Sequence, residues 1–309
     1  MPYAENSQGE SNSVFINGSP SSVPTPVPGQ TQIFVDSVTK KAASKDDTGA
    51  VTRYYGPPLG YVRRGKAGWT SVSAVTLGAS GITSEATAQD GSMVISWSGA
   101  LSASIASSGA GGLDTGSEAA NTWYGILVIA DSSGVNSPAA MLTVSTGATF
   151  PHVSPTLPSG YDKYRRLGWV RNNASSNFLK FSQSATGCTF RIFYDENRAT
   201  VQALTGFATT TFTALSLAAF LPPSATDAYL LMDYDNAAGS AGDDARVRMS
   251  GSSVTSTTFS VQPGAAVGAV DDYRQQIIVP VDTSQAVEVA VENALNSLDI
   301  FVQGYTDDV

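Results

Sequence analysis

One histidine, His152, and one cysteine, Cys188, are the only members of their kinds in 309 residues, and that scarcity bounds the available chemistry. A Ser-His-Asp relay needs its imidazole on a rigid scaffold beside an orienting carboxylate. His152 instead sits in the proline-punctuated stretch 148–164, and no Gly-x-Ser-x-Gly elbow accompanies it. A zinc site needs several His or Cys ligands, which this chain cannot supply. A single cysteine forms no intrachain disulfide, and the setting Thr186-Gly187-Cys188-Thr189-Phe190 reads as a small core residue. Carboxylates are the remaining reservoir: Asp195-Glu196, Asp233/Asp235, Asp243-Asp244, Asp271-Asp272 and Asp307-Asp308. Paired acids can hydrolyse glycosidic bonds, but none of these pairs lies in a motif, so no catalytic residue is assigned and the expectation is a protein without enzymatic activity. The weak metal candidates are Asp233, Asp235, Asp243 and Asp244, an oxygen-rich set suited to calcium. They lack EF-hand spacing and its sixth-position glycine, so a solvated loop is the plainer reading. Tyr54, Tyr55, Tyr61, Trp69, Tyr161, Tyr164, Trp169 and Tyr273 lie near turns or strand ends, where rings could stack on sugars; such scatter mostly marks core and interface.

Composition narrows the class. Charged residues make up 14% of the chain, against about a quarter in ordinary soluble domains. That favours many short strands joined by small-residue turns. The net charge of −9 argues against nucleic acid, whose affinity comes from clustered Lys and Arg. The basic groups Arg63-Arg64-Gly65-Lys66 and Lys163-Tyr164-Arg165-Arg166 are too short to track a phosphate backbone. No apolar run approaches the length of a membrane span, and the opening residues lack the basic and apolar regions of a secretory signal.

The elements that must carry these residues are strands. Trp123–Ala130 is a β-branched and aromatic run bounded by Asn121 and by Asp131-Ser132-Ser133-Gly134, which predicts a buried strand ending in a tight turn. Ala139–Ser145, Arg165–Arg171, Phe190–Tyr194 and Leu298–Tyr305 read as strands, as do Thr70–Leu77, Ser92–Ser98 and Ala100–Ser107, and Ala228–Tyr234 reads as a buried strand. Ser284–Leu295 alternates Val287, Val289 and Val291 and reads as strand rather than helix. Asp46-Asp47-Thr48-Gly49 predicts a hairpin turn. Strands at this spacing predict an all-β chain of antiparallel β-sandwich (jelly-roll-like) domains, two in number, behind an extended N-terminal arm. The expected limits are an arm over residues 1–31, a small hairpin unit over 32–66, a first sandwich over 67–185 and a second over 186–309. In the arm, prolines at alternate positions favour polyproline II. Val14, Phe15 and Ile16 with Pro24, Pro26 and Pro28 are its candidate partner-binding residues.

Residues Gly111–Gln183 carry a resemblance. Leu113-Asp114-Thr115-Gly116, Asn121-Thr122-Trp123-Tyr124, Leu157-Pro158-Ser159-Gly160-Tyr161 and Arg166-Leu167-Gly168-Trp169-Val170-Arg171, with Phe178 after them, resemble segments of tail-fibre and other virion appendage proteins of tailed bacteriophages. The resemblance implies a structural virion protein of fibre or adhesin type, made in the host cytoplasm and released by lysis. It would form a homotrimer, bind other virion proteins through its arm, and touch host-surface glycan. A head fibre or capsid decoration protein, a glycan-binding module and a short depolymerase are the alternatives. The resemblance brings no catalytic residue with it.

Overall fold

The computed structural model describes residues 16–18, 23–29, 31–36, 42–53, 62–78, 81–144, 146–147, 151–186, 189–237, 243–254, 259–261 and 272–308. The chain divides into two compact units, residues 1–58 with 91–93, and residues 59–90 with 94–309.

In the first unit β1 (Ile16–Gly18), β2 (Thr31–Asp36), β3 (Ala42–Asp46) and β4 (Val51–Arg53) form one sheet in that order. The β3–β4 hairpin closes through Asp47, Thr48 and Gly49, and Gly49 takes the positive φ of 85° that its turn requires. β1 adds to β2 in parallel, with Ile16 opposite Phe34. Part of the expected arm is therefore an edge strand of its own unit. Val23 is buried against Phe34 and Ala43, and Lys45 Nζ donates to the Val23 carbonyl at 2.8 Å. Proline cannot donate to a ladder, so the segment that follows crosses without strand pairing, Pro24 and Pro28 exposed and Pro26 half-buried. Val14 and Phe15 lie outside the described residues.

The second unit begins with β5 (Val62–Arg63), β6 (Ala67–Ser71), β7 (Ala74–Leu77), β8 (Thr83–Thr87), β9 (Val94–Ser98) and β10 (Leu101–Ser104). They make two antiparallel sheets, β5-β8-β9 and β10-β7-β6. The run Thr70–Leu77, read as one strand, is two: the chain reverses at Val72-Ser73, where Ser73 N–H donates to Ser71 Oγ at 3.3 Å. The serine hydroxyl does what Gly or Asn would ordinarily do in a turn. Next come β11 (Trp123–Ala130), β12 (Ala139–Thr143) and β13 (Lys163–Arg171), with β11 in the middle. Leu127, Ile129, Met141, Val153 and Trp169 bury themselves together here. Leu157 and Tyr161 of the proline-rich loop pack on that cluster, so the loop is a lid on the core.

The remainder is β14 (Phe181–Thr186), β15 (Thr189–Tyr194), a 3₁₀ turn (Arg198–Val201), β16 (Gln202–Phe207), β17 (Thr213–Ser216), β18 (Ala225–Asp235), β19 (Ala245–Met249), β20 (Phe259–Val261), β21 (Asp272–Pro280), β22 (Ala286–Val291) and β23 (Ser297–Asp308). They form one sheet in the order β14-β15-β23-β18-β21, with β16 also on β23, and a second in the order β17-β22-β19-β20. β19 and β20 approach β21, so the two sheets lie as sandwich-like layers. The fold is all-β with antiparallel sheets, as expected; the parallel β1–β2 pair in the first unit and the isolated parallel bridges Ser108–Leu113 and Leu113–Leu142 depart from that pattern. The anticipated boundary at residues 185 and 186 falls inside β14.

A buried polar network ties β13 to β23. Arg166 Nη1 meets Asp307 Oδ2 at 2.6 Å with both side chains essentially inaccessible. Ser224 Oγ donates to Asp307 Oδ1 at 2.5 Å and accepts from Trp169 Nε1 at 2.7 Å. Arg166 Nε donates to the Pro151 carbonyl at 2.9 Å, and the guanidinium lies 5.2 Å from the Trp169 ring centre. Charges taken from water need this degree of satisfaction to persist.

Candidate functional site

Among the described side chains that could do chemistry, His152, Asp195, Glu196, Asp233, Asp243, Asp244 and Asp307 have structural partners. His152 adopts a positive φ of 63°, and its Nδ1 lies 3.2 Å from the Gly147 carbonyl in the small Thr146–Val153 bridge. Asp195 pairs with Lys180, whose backbone N–H donates to Glu196 Oε1 at 2.6 Å. Asp307 belongs to the buried network. Cys188 and Asp271 lie outside the described residues.

The four calcium candidates do not share one centre. Asp233 accepts from Arg274 Nε at 3.1 Å and pairs with Arg198. Asp243 accepts from Asn296 Nδ2 at 3.1 Å, and Asn296 also donates to the Tyr234 hydroxyl at 2.6 Å. Asp244 lies 3.0 Å from Arg246 Nε. Burial, with the carboxylates of Glu292 and Asp243, raises the Asp244 carboxyl above its ordinary value, while Arg246 opposes them. Asp235 is half-buried on β18. Among the described residues no group of three or more His, Cys, Asp or Glu side chains is placed to hold a metal ion.

Four of the eight aromatics flagged in the sequence are scaffold. Trp169 is core, Tyr161 and Tyr164 pack on the same cluster, and Trp69 Nε1 donates to the Phe178 carbonyl at 3.3 Å. Tyr273 is half-buried on β21, and Tyr54, Tyr55 and Tyr61 lie outside the described residues.

A candidate surface among the described residues is the outer face of the sheet containing β15, β23, β18 and β21. Strand alternation sends Leu230, Met232, Ile277, Val279, Ile300 and Val302 inward, all buried. The other face carries Arg191 and Phe193 from β15, Tyr229 from β18, Gln276 and Ile278 from β21, and Gln303 from β23. Together with the neighbouring backbone they line a cavity of about 430 Å³. Phe193 and Ile278 are 44% and 54% exposed, which is costly for large apolar groups unless something covers them.

Two local features build this face. Gly304 on β23 lies opposite Phe193 on one side and Tyr229 on the other. A Cβ there would collide with the Ile192 carbonyl oxygen, so the position stays bare and the two flanking rings meet across it. They stack with centres 5.2 Å apart and planes 25° apart. Next to it the β18–β23 register shifts: Tyr229 opposes Gly304 while Leu230 opposes Val302, leaving Gln303 as the extra residue. The bulge turns Gln303 to the outer face, where its Oε1 accepts from Gln276 Nε2 at 2.7 Å. The Tyr229 hydroxyl is 2.7 Å from Thr306 Oγ1. Four residues further along β18, Asp233 sits between Arg198 and Arg274 and closes that end of the face. The result is an aromatic platform with an amide pair and one guanidinium, Arg191, which has no ion pair among the described residues. The residues lining the cavity include no Ser, Cys, His, Asp or Glu. None of the residues lining the cavity was singled out from the sequence: Phe193 sits inside a segment read as strand and Tyr229 inside one read as a buried strand. The glycine in the final strand was the available signal.

No protein-family model matches the sequence, and no curated protein matches it. Among solved structures the chain is similar to the I1 variant of the Major Tropism Determinant, with a TM-score of 0.26 and 12% identity over 57% of this chain. The M1 variant gives the same values. The chain spans about half the length of those proteins, 49%, and at that remove the likeness transfers no function.

Proposed function

We propose that this chain is a non-enzymatic structural protein of a tailed-phage virion, a fibre- or adhesin-type appendage. In this reading it is a homotrimer held to the particle by its N-terminal segment, and it meets the host surface with the exposed face of the β15-β23-β18-β21 sheet. The observation that supports the reading is the role of the residues carrying the phage resemblance. Leu113, Tyr124, Leu167, Trp169, Val170 and Phe178 are all buried, so what the chain shares with appendage proteins is a packed scaffold rather than reactive groups. Burial of that kind keeps a projecting domain rigid, and function then falls to exposed surfaces.

Immunogold electron microscopy of the phage particles tests the proposal. Label at the tail is expected. Label over the capsid would make the chain a head fibre or decoration protein, and unlabelled particles would refute the virion reading. Reducing ends released from host polysaccharide by the purified protein would refute the non-enzymatic part in favour of a depolymerase. Native mass spectrometry giving a monomer at micromolar concentration would refute the trimer.

A further inference from the structure

We infer that the cavity between Phe193, Tyr229, Ile278 and Arg191 is a binding site for a carboxylate-bearing sugar, a hexuronate or similar acidic pyranose at the end or within a host polysaccharide. This deepens the attachment reading and rests on it for its biological role.

The argument is chemical fit. A pyranose ring has an apolar face of C–H bonds and a rim of hydroxyls. The electron-rich faces of aromatic rings attract the weakly positive C–H edge, and the exposed Phe193, stacked on the buried Tyr229 and with the exposed Ile278 as a further apolar group, provides such a floor. Hydroxyls need both donors and acceptors, and the paired amides of Gln276 and Gln303 offer both beside that floor. An acidic sugar further needs one cation in reach, and the lining supplies Arg191 as its charged residue. A guanidinium meets a carboxylate with two parallel N–H bonds. In a chain of net charge −9, an arginine in a cavity free of lining carboxylates creates a local site for an anion. The cavity, about 430 Å³, falls within the range of about 300–1,000 Å³ usual for small-ligand clefts.

A second copy of the chain is the competing occupant, because exposed apolar residues also mark subunit contacts. Aromatic residues and Arg are enriched at interface centres, so composition does not separate the two occupants; interface centres also pack as densely as protein interiors, and this face is hollow. Here a guanidinium and two amides line the hollow, an arrangement suited to a small polar ligand with an apolar face.

The test is NMR titration of the isotope-labelled full chain with methyl glycosides of glucuronate and galacturonate, and with the neutral glucose and galactose counterparts. The inference expects the uronides to shift resonances of Phe193, Tyr229, Ile278 and the two glutamines, and to bind more tightly than the neutral glycosides by about fivefold, the worth of one partly exposed ion pair. Arg191→Gln should erase that preference while keeping weak neutral binding. Phe193→Ala should abolish both, with a melting temperature close to that of the parent. Equal binding of acidic and neutral glycosides, or no shifts on this face with any of them, overturns the inference. So does a Phe193→Ala variant whose principal change is a smaller native mass, which would make the face a contact between copies. Particles that label in microscopy while the uronides fail to bind would sink this site alone, and uronide binding with unlabelled particles would sink the virion role alone.

Discussion

Removing the charge of Asp307 should be among the most damaging single changes in the second unit. Asp307 and Arg166 meet at 2.6 Å with 0% and 1% of their side chains exposed, so no water is at hand to replace a lost partner. Asp307→Asn leaves the shape almost unchanged and a buried guanidinium without its carboxylate. Breaking a buried pair from one side costs about 3–5 kcal/mol, which for a unit of this size lowers the melting temperature by about 6–20 °C. The loss should spread through the network, since Ser224 Oγ donates to Asp307 and accepts from Trp169 Nε1. Urea denaturation followed by tryptophan fluorescence reads the effect as a fall in midpoint at constant slope. Replacing both partners, Arg166→Met with Asp307→Leu, should recover part of the loss, because an apolar pair avoids the desolvation penalty while the Ser224 hydroxyl loses its acceptor. A cost below about 1 kcal/mol for Asp307→Asn, small beside the range expected for a broken buried pair, would refute the reasoning. So would a double variant no more stable than the single one.

Three further outcomes follow from local geometry. Gly304→Ala drives a Cβ into the Ile192 carbonyl and should cost about 1–3 kcal/mol or more of overpacking, seen as a lower denaturation midpoint and loss of the Phe193–Tyr229 ring contact by NMR. Burial, the leading cause, pushes the Tyr234 phenol up to about 12 from 10.0, with the Asn296 hydrogen bond opposing. Its contribution to stability is therefore intact below pH 10 and erodes as pH rises from 10 to about 12; Tyr234→Phe should flatten that part of the alkaline stability profile. The Ser133 hydroxyl, then the backbone N–H groups of Asn136 and Ser133, hold the Asp131 carboxyl at about 2 rather than 3.8. Its stabilising contribution is present above 3.8 and disappears as pH falls through 2. In Ser133→Ala the NMR titration of Asp131 should move back toward the ordinary value.

The sequence by itself determined the class of fold and the position of many strands. Trp123–Ala130 is a strand over the predicted span, because a β-branched and aromatic run closed by an Asp-Ser-Ser-Gly turn leaves the chain few alternatives. Ser284–Leu295 contains β22, Ala286–Val291, because side chains of period two match a pleat and no helix. Where a turn lacked Gly, Pro, Asn or Asp, as at Val72-Ser73, the reversal was invisible locally. Only the tertiary structure decided which strands became neighbours. It placed β1 on β2 in its own unit and seated β23 between β15 and β18. It buried Arg166 and Asp307 together across 141 positions of sequence. The binding face is a product of the same level. Phe193, Tyr229 and Gln276 come from three separate strands, and what gathers them is the bare position at Gly304 and the one-residue bulge at Gln303. Periodicity reports which residues share a face of one strand; register between distant strands depends on packing that no local pattern encodes.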